Sequence, residues 1–135
     1  MSAEKALAAA MRAALMAHED VKAVLGDAAR IHDDPPPDPV FPYLTLGRFE
    51  ARPADASEAE ALEHVVTLHV WSRYGGRAEA LDVIAAVRAA LHNSALTLLG
   101  RKLVLMLVSF TDVFRSGDGR TTHGVVRVRA ITEPE

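Results

Sequence analysis

The chain contains no cysteine. Disulfides, thiolate metal centres and cysteine nucleophiles are therefore excluded, and the composition suits a reducing compartment. Aromatic residues make up 5% of the sequence, with a single Trp. No apolar run approaches the roughly 18 residues of a membrane-spanning helix. Basic residues are outnumbered, 15 Lys and Arg against 18 Asp and Glu, for a net charge of −3. That balance argues against a protein that grips nucleic acid tightly. Phosphate-binding loops, dinucleotide fingerprints and the G-x-S-x-G nucleophile elbow are missing as well.

What is present fits one globular unit, expected to span residues 1–135. Apolar residues account for 50%, but alanine supplies much of that share. The core must then come from a short set of Leu, Val, Ile, Met and Phe, each contributing about 1.5–3 kcal/mol when fully buried. Leu7, Met11 and Leu15 recur four apart behind Ser2, a suitable N-cap, and predict a helix to about Ala17. Arg12 interrupts the apolar centre that a signal peptide would need, so this segment reads as helix and not as a targeting sequence. A shorter helical turn follows over residues 19–25, ended by Gly26, and Ala29 to His32 reads as a short strand or extended link. Five prolines between residues 33 and 42 forbid helix and predict an extended surface connector.

Tyr43 to Glu50 alternates as a strand, with Leu44 and Leu46 on one side and Tyr43, Thr45 and Phe49 on the other. Residues 51–60 read as a loop. Leu62 to Arg73 is expected to be a strand with bulk on both faces: Val66, Leu68 and Val70 on one, Val65, Thr67, His69 and Trp71 on the other. Arg77 to His92 is expected to be an amphipathic helix with Leu81, Ile84, Val87 or Arg88, and Leu91 along one stripe. Lys102 to Phe114 and His123 to Thr132 predict an antiparallel hairpin around Ser116-Gly117-Asp118-Gly119, with Val126, Val128 and Ala130 inward and Arg127 and Arg129 outward. The expected fold is α+β: a mainly antiparallel four- to five-stranded sheet with two main helices packed on one face.

The polar residues do not compose a catalytic or metal-binding constellation. His64 and His69 lie five apart on one strand, face opposite sides and cannot share a metal. His18 and His92 fall near helix C-termini, where the dipole favours a partly protonated ring. Ser109, His69 and Asp112 are common residues without a supporting motif, and the Asp33-Asp34-Asp38 cluster matches no calcium loop. Gly75-Gly76-Arg77 reads as a tight strand-to-helix turn before it reads as an anion site. Arg120, Arg127 and Arg129 suggest a basic stripe that meets acidic groups of a neighbour or keeps an edge strand soluble. No catalytic, cofactor-binding or metal-ligating residue is expected.

Several strings in order suggest more. They are V-K-A-V-L-G at 21–26, R-I-H-D-D-P-P-P at 30–37, F-P-Y-L-T-L-G at 41–47, L-H-V-W-S-R-Y-G-G-R-A-E-A at 68–80, A-L-H-N-S at 90–94 and T-T-H-G-V-V-R-V-R-A at 121–130. Together they resemble the tail completion or tail terminator proteins of long-tailed bacteriophages and their equivalents in gene transfer agents. The resemblance covers essentially the whole chain. It implies a non-enzymatic virion protein, made in the bacterial cytoplasm and placed in the tail-neck region. There a homo-hexameric ring would end polymerisation of the major tail tube protein, join the tail to a head-side stopper or connector, and let DNA pass through its lumen. The competing readings are the neighbouring head-tail stopper and a small ligand-binding α+β domain. Candidate contact residues for subunits, tube or connector are Phe49, Arg52, Asp55, Glu58, Arg73, Tyr74, Arg115, Asp118, Arg120, Arg127 and Arg129, with the loops 51–60 and 115–122 expected to order on contact.

Overall fold

In the computed structural model, which describes residues 2–54 and 60–135, the chain runs as three helices and five strands. They are α1 (Ala3–Ala17), α2 (Glu19–Leu25), β1 (Ile31–His32), β2 (Tyr43–Pro53), β3 (Leu62–Ser72), α3 (Ala78–Leu91), β4 (Arg101–Arg115) and β5 (Thr122–Pro134). The sheet order is β1-β2-β3-β5-β4. β1 lies parallel to β2 and every other pairing is antiparallel, so the sheet is mixed where the sequence suggested a mainly antiparallel one. The proline connector explains the difference. Residues 33–42 contain no strand or helix and carry the chain back to the start of the sheet, so β2 re-enters in the direction of β1. The short helical turn expected over residues 19–25 is the seven-residue α2, which makes a third helix, and the expected short strand or link before the prolines is the two-residue β1.

Ser2 caps α1, its side chain accepting from the Lys5 amide at 3.1 Å. Leu7, Met11 and Leu15 are fully buried, as their spacing predicts. They meet Val21 and Leu25 of α2 and Val83, Val87 and Leu91 of α3 over the sheet residues Leu44, Val66, Leu68, Val70, Met106, Val126 and Val128. The burial of β3 alternates without a break from His64 to Ser72, and that of β5 from Thr122 to Thr132. All three helices therefore cover one face. Gly124 sits beneath α3: a Cβ there would lie 3.0 Å from Val70 Cβ and 3.3 Å from Ile84 Cδ1. Its missing side chain lets helix and sheet approach.

Three local expectations change. A β-bulge between Leu46 and Phe49 inserts residues into β2, so Phe49 pairs with Val66 and packs on the core side with Leu44 and Leu46. Simple alternation had put it opposite them, and a bulge resets the period of two. Leu81 on α3 is 50% exposed, because the buried stripe is set by Ala80, Val83, Ile84, Val87 and Leu91. β2 also runs on to Pro53 and takes Arg52 out of the expected loop.

Two substitutions separate these environments. Leu68→Ala, in the sealed core, should cost about 2–5 kcal/mol in urea unfolding. Leu81→Ala should stay within about 0.5 kcal/mol of the parent in the same experiment.

Candidate functional site: the helix-free face of the sheet

Among the described residues no helix lies over the second face of the sheet, yet its side chains are mostly half-buried by one another. A row of rings crosses it from strand to strand. Phe41 meets Tyr43 at 5.1 Å between centroids, Tyr43 stacks on Trp71 at 6.4 Å, Trp71 on His123 at 4.1 Å, and Phe114 meets His123 at 4.9 Å. Register makes the row, since Tyr43 is the cross-strand partner of Trp71, Trp71 of His123, and His123 of Phe114. Aromatic neighbours across antiparallel strands stabilise a sheet by a few tenths of a kcal/mol to about 1 kcal/mol per pair. Trp71 Nε1 donates to Thr45 Oγ1 at 3.0 Å, which orients the indole. The Arg73 guanidinium sits 4.4 Å from the Phe41 ring centroid and extends the row at its end.

Next to the row, His69 Nδ1 and His123 Nε2 lie 2.8 Å apart. One ring must donate and the other accept, so the pair cannot hold both extra protons in this geometry. Burial pushes both rings below the usual histidine range, and for His123 the neighbouring His69 adds to that while Asp112 opposes it. Gly47 makes room for the pair. A Cβ on it would sit 2.7 Å from His69 Nε2 and 2.8 Å from the Thr67 carbonyl. His64 points the opposite way, into the core, where its Nε2 meets Thr132 Oγ1 at 2.8 Å and burial holds it below the usual range. The expectation that His64 and His69 face opposite sides therefore stands.

At the far end of the face, Glu63 takes Arg52 Nε on one oxygen at 2.8 Å and Arg129 Nε on the other at 2.6 Å. The hydrogen bond from Arg52, then that from Arg129, lowers the Glu63 pKa. The suggested basic stripe is thereby broken up. Arg129 is neutralised by Glu63, Arg127 lies over the Phe110 ring at 4.7 Å, and Arg120 belongs to the β4–β5 turn at the other end.

Asp118 builds that turn. Its carboxylate accepts from Thr121 Oγ1 at 2.7 Å and from the Arg120 and Thr121 amides at 2.8 Å each, and these bonds, the Thr121 hydroxyl first, lower its pKa to about 2. Arg115 donates to the Gly119 carbonyl across the same turn. Arg73 reaches both Thr121 Oγ1 at 3.2 Å and Asp118 at 3.9 Å. Tyr74, 70% exposed, stands on the loop before α3. Among the candidate contact residues, the structure therefore gathers Arg73, Asp118, Arg115 and Arg120 around one turn, and puts Arg52 and Arg129 together at Glu63. Phe49 stands apart on the core side, and Asp55 and Glu58 lie outside the described residues.

Two further histidines accept backbone amides. His18 Nδ1 accepts from the Asp20 amide at 3.2 Å, and His92 Nδ1 accepts from the Val108 amide at 3.0 Å. The His18 ring thereby caps α2, and the His92 ring ties the end of α3 to β4. Ser109 Oγ donates to the Arg127 carbonyl and takes no part with His69. Among the described residues, no group of three His, Asp or Glu side chains is arranged to hold a metal ion.

The ring row went unseen in the sequence because its members come from four separate segments. The readable signal was the bulk on both faces of β3 at Val65, His69 and Trp71.

Comparison with known proteins gives the following. Residues 9–133 match the family model described as tail completion protein gp17. The tail completion protein gp17 of Bacillus phage SPP1 is 29% identical over 102 residues, covering 74% of each chain. A chain from the virion of a native gene transfer agent particle superimposes with a TM-score of 0.87 at 26% identity, covering 98% of this chain and 99% of that one. The solved structure of bacteriophage SPP1 gp17 gives a TM-score of 0.65 at 26% identity, covering 95% and 89%.

The histidine environments generate a pH prediction. A histidine held below its unfolded pKa binds fewer protons folded than unfolded, so stability falls as pH drops through about 6.5 and is fully present above it. His64, His69 and His123 all act in that direction. The melting temperature should be flat from pH 8 to 7 and decline towards pH 5. A His69→Gln/His123→Gln double variant should show a shallower decline, retaining the part due to His64. Separately, Asp118→Ala should speed amide hydrogen exchange at Arg120 and Thr121 while leaving the core strands protected.

Proposed function

The chain belongs to the tail completion protein gp17 family, and from that premise we propose that it is the structural terminator of a phage-like tail. Copies close into a hexameric ring at the head-proximal end of the tail tube. The ring stops further addition of the major tail tube protein and offers its other side to the head-side connector. DNA passes through the lumen. The whole chain acts as one such unit, without catalysis, in the tail-neck region of a phage or gene transfer agent virion assembled in a bacterial cytoplasm.

The observation that carries this reading is the near-complete superposition on a chain from an intact gene transfer agent particle. Physical features support it. The sheet face opposite the helices holds a row of rings that no described helix covers, and Phe110 and Phe114 at its edge are 43% and 40% exposed. Exposed apolar surface of this kind marks interaction sites. A net charge of −3 suits a lumen that DNA must traverse, since tight backbone binding depends on many phosphate–cation contacts.

Purified protein mixed with tail tubes and viewed by electron microscopy tests the reading. Closed rings at one end of each tube, with tube growth halted, are expected. Decoration along the tube wall, or tubes that keep elongating in its presence, would contradict it.

A further inference from the structure

The two edges of the sheet differ in chemistry. β1 forms one edge, and the proline segment 33–42 that links it to β2 carries Asp33, Asp34 and Asp38 and no lysine or arginine. All three carboxylates are exposed, and Val40 is 64% exposed beside them. The opposite edge is β4. Phe110 and Phe114 project there, accompanied by Arg115, Arg120 and Arg127, with Asp112 the one acidic side chain between the two rings.

The β4 edge is not equally open along its length. The Asn93 amide donates to the Met106 carbonyl at 2.9 Å, and the Val108 amide donates to His92 Nδ1 at 3.0 Å. The end of α3 thus occupies main-chain groups at 106 and 108 and blocks continuous strand addition there. What remains for a partner is the stretch from Phe110 to Arg115, recognised through its side chains.

We infer that the proline segment of one copy docks on the Phe110–Arg115 edge of the next copy. This deepens the ring reading and rests on it. The prolines and Val40 lie against Phe110 and Phe114, as proline-rich segments pack on aromatic surfaces. Asp33, Asp34 and Asp38 face Arg115, Arg120 and Arg127. Opposite charge on the two edges fixes the partner as a second copy of the same chain and disfavours edge pairing with itself. Prolines stiffen the segment in advance, which limits the entropy lost on docking. Because the two surfaces are different, the contact is heterologous, and repeating it generates a closed ring when the rotation permits.

The absence of cysteine makes a direct test possible. Val40 leads into β2, and β2 and β4 are three strand spacings apart, about 14 Å, so a disulfide between Val40→Cys and Phe114→Cys must join two molecules. Val40→Cys and Phe114→Cys chains are mixed on tail tubes and oxidised. Disulfide-linked dimers that need both variants are expected. A second measurement uses surface charges that do not touch the core. Reversal of the acidic edge (Asp33→Lys/Asp34→Lys/Asp38→Lys) or of the basic edge (Arg115→Glu/Arg127→Glu) should each weaken ring formation by roughly tenfold or more. Mixing the two reversed proteins should restore rings, with copies alternating. Rings that form without the cross-link and survive either reversal would overturn the docking while leaving the ring reading intact. Parent protein that forms no ring even on tubes would overturn the ring reading, and the docking with it.

Discussion

A five-stranded sheet has two faces, and the described helices of this chain cover only one. Alternation along β3 and β5 sends His64, Val66, Leu68, Val70, Val126, Val128 and Ala130 under the helix layer. By the same geometry it must send Val65, His69, Trp71, His123 and Arg127 to the other side. Everything distinctive on the surface follows from how that second side is managed.

The chain manages it by making the exposed side chains cover one another. Rings stack across strands in register, a histidine pair shares a hydrogen bond beside them, and Glu63 is clasped by two arginines at the far end. This protects the face without sealing it. The remaining exposure concentrates at the β4 edge, where Phe110 and Phe114 outlast the cover that the end of α3 gives to Met106 and Val108. A polypeptide of this size gains stability by burying such surface against neighbours, and membership of a family of tail completion proteins places it among neighbours.

Much of the architecture was legible in the residues. Unbroken alternation in β3 and β5, and the fourfold spacing of Leu7, Met11 and Leu15, state their faces openly. What escaped had specific physical causes. The β2 bulge moved Phe49 to the core side, because a period of two cannot show an inserted residue. Leu81 fits a helical stripe on hydrophobicity, but the stripe that wins is set by small Ala80 and by Val83 against the sheet. Residues 29–32 read equally as a short strand or a link, and only the pairing with β2 decides for the strand. The surface was less legible than the core. Arg127 and Arg129 look alike in the sequence, yet one caps a phenylalanine and the other is neutralised by Glu63, a residue 66 positions away. Asp118 reads as a candidate contact residue in a glycine-rich turn, and in the structure it is the group that holds the turn together.

The central claim is that this face and its edge are kept partly exposed so that other subunits can cover them. Hydroxyl-radical footprinting of the protein free and bound to tail-tube ends tests it most directly. The account predicts that labelling of Phe110, Phe114 and Val40 falls together on binding. Unchanged labelling at these residues in tube-bound protein would contradict it.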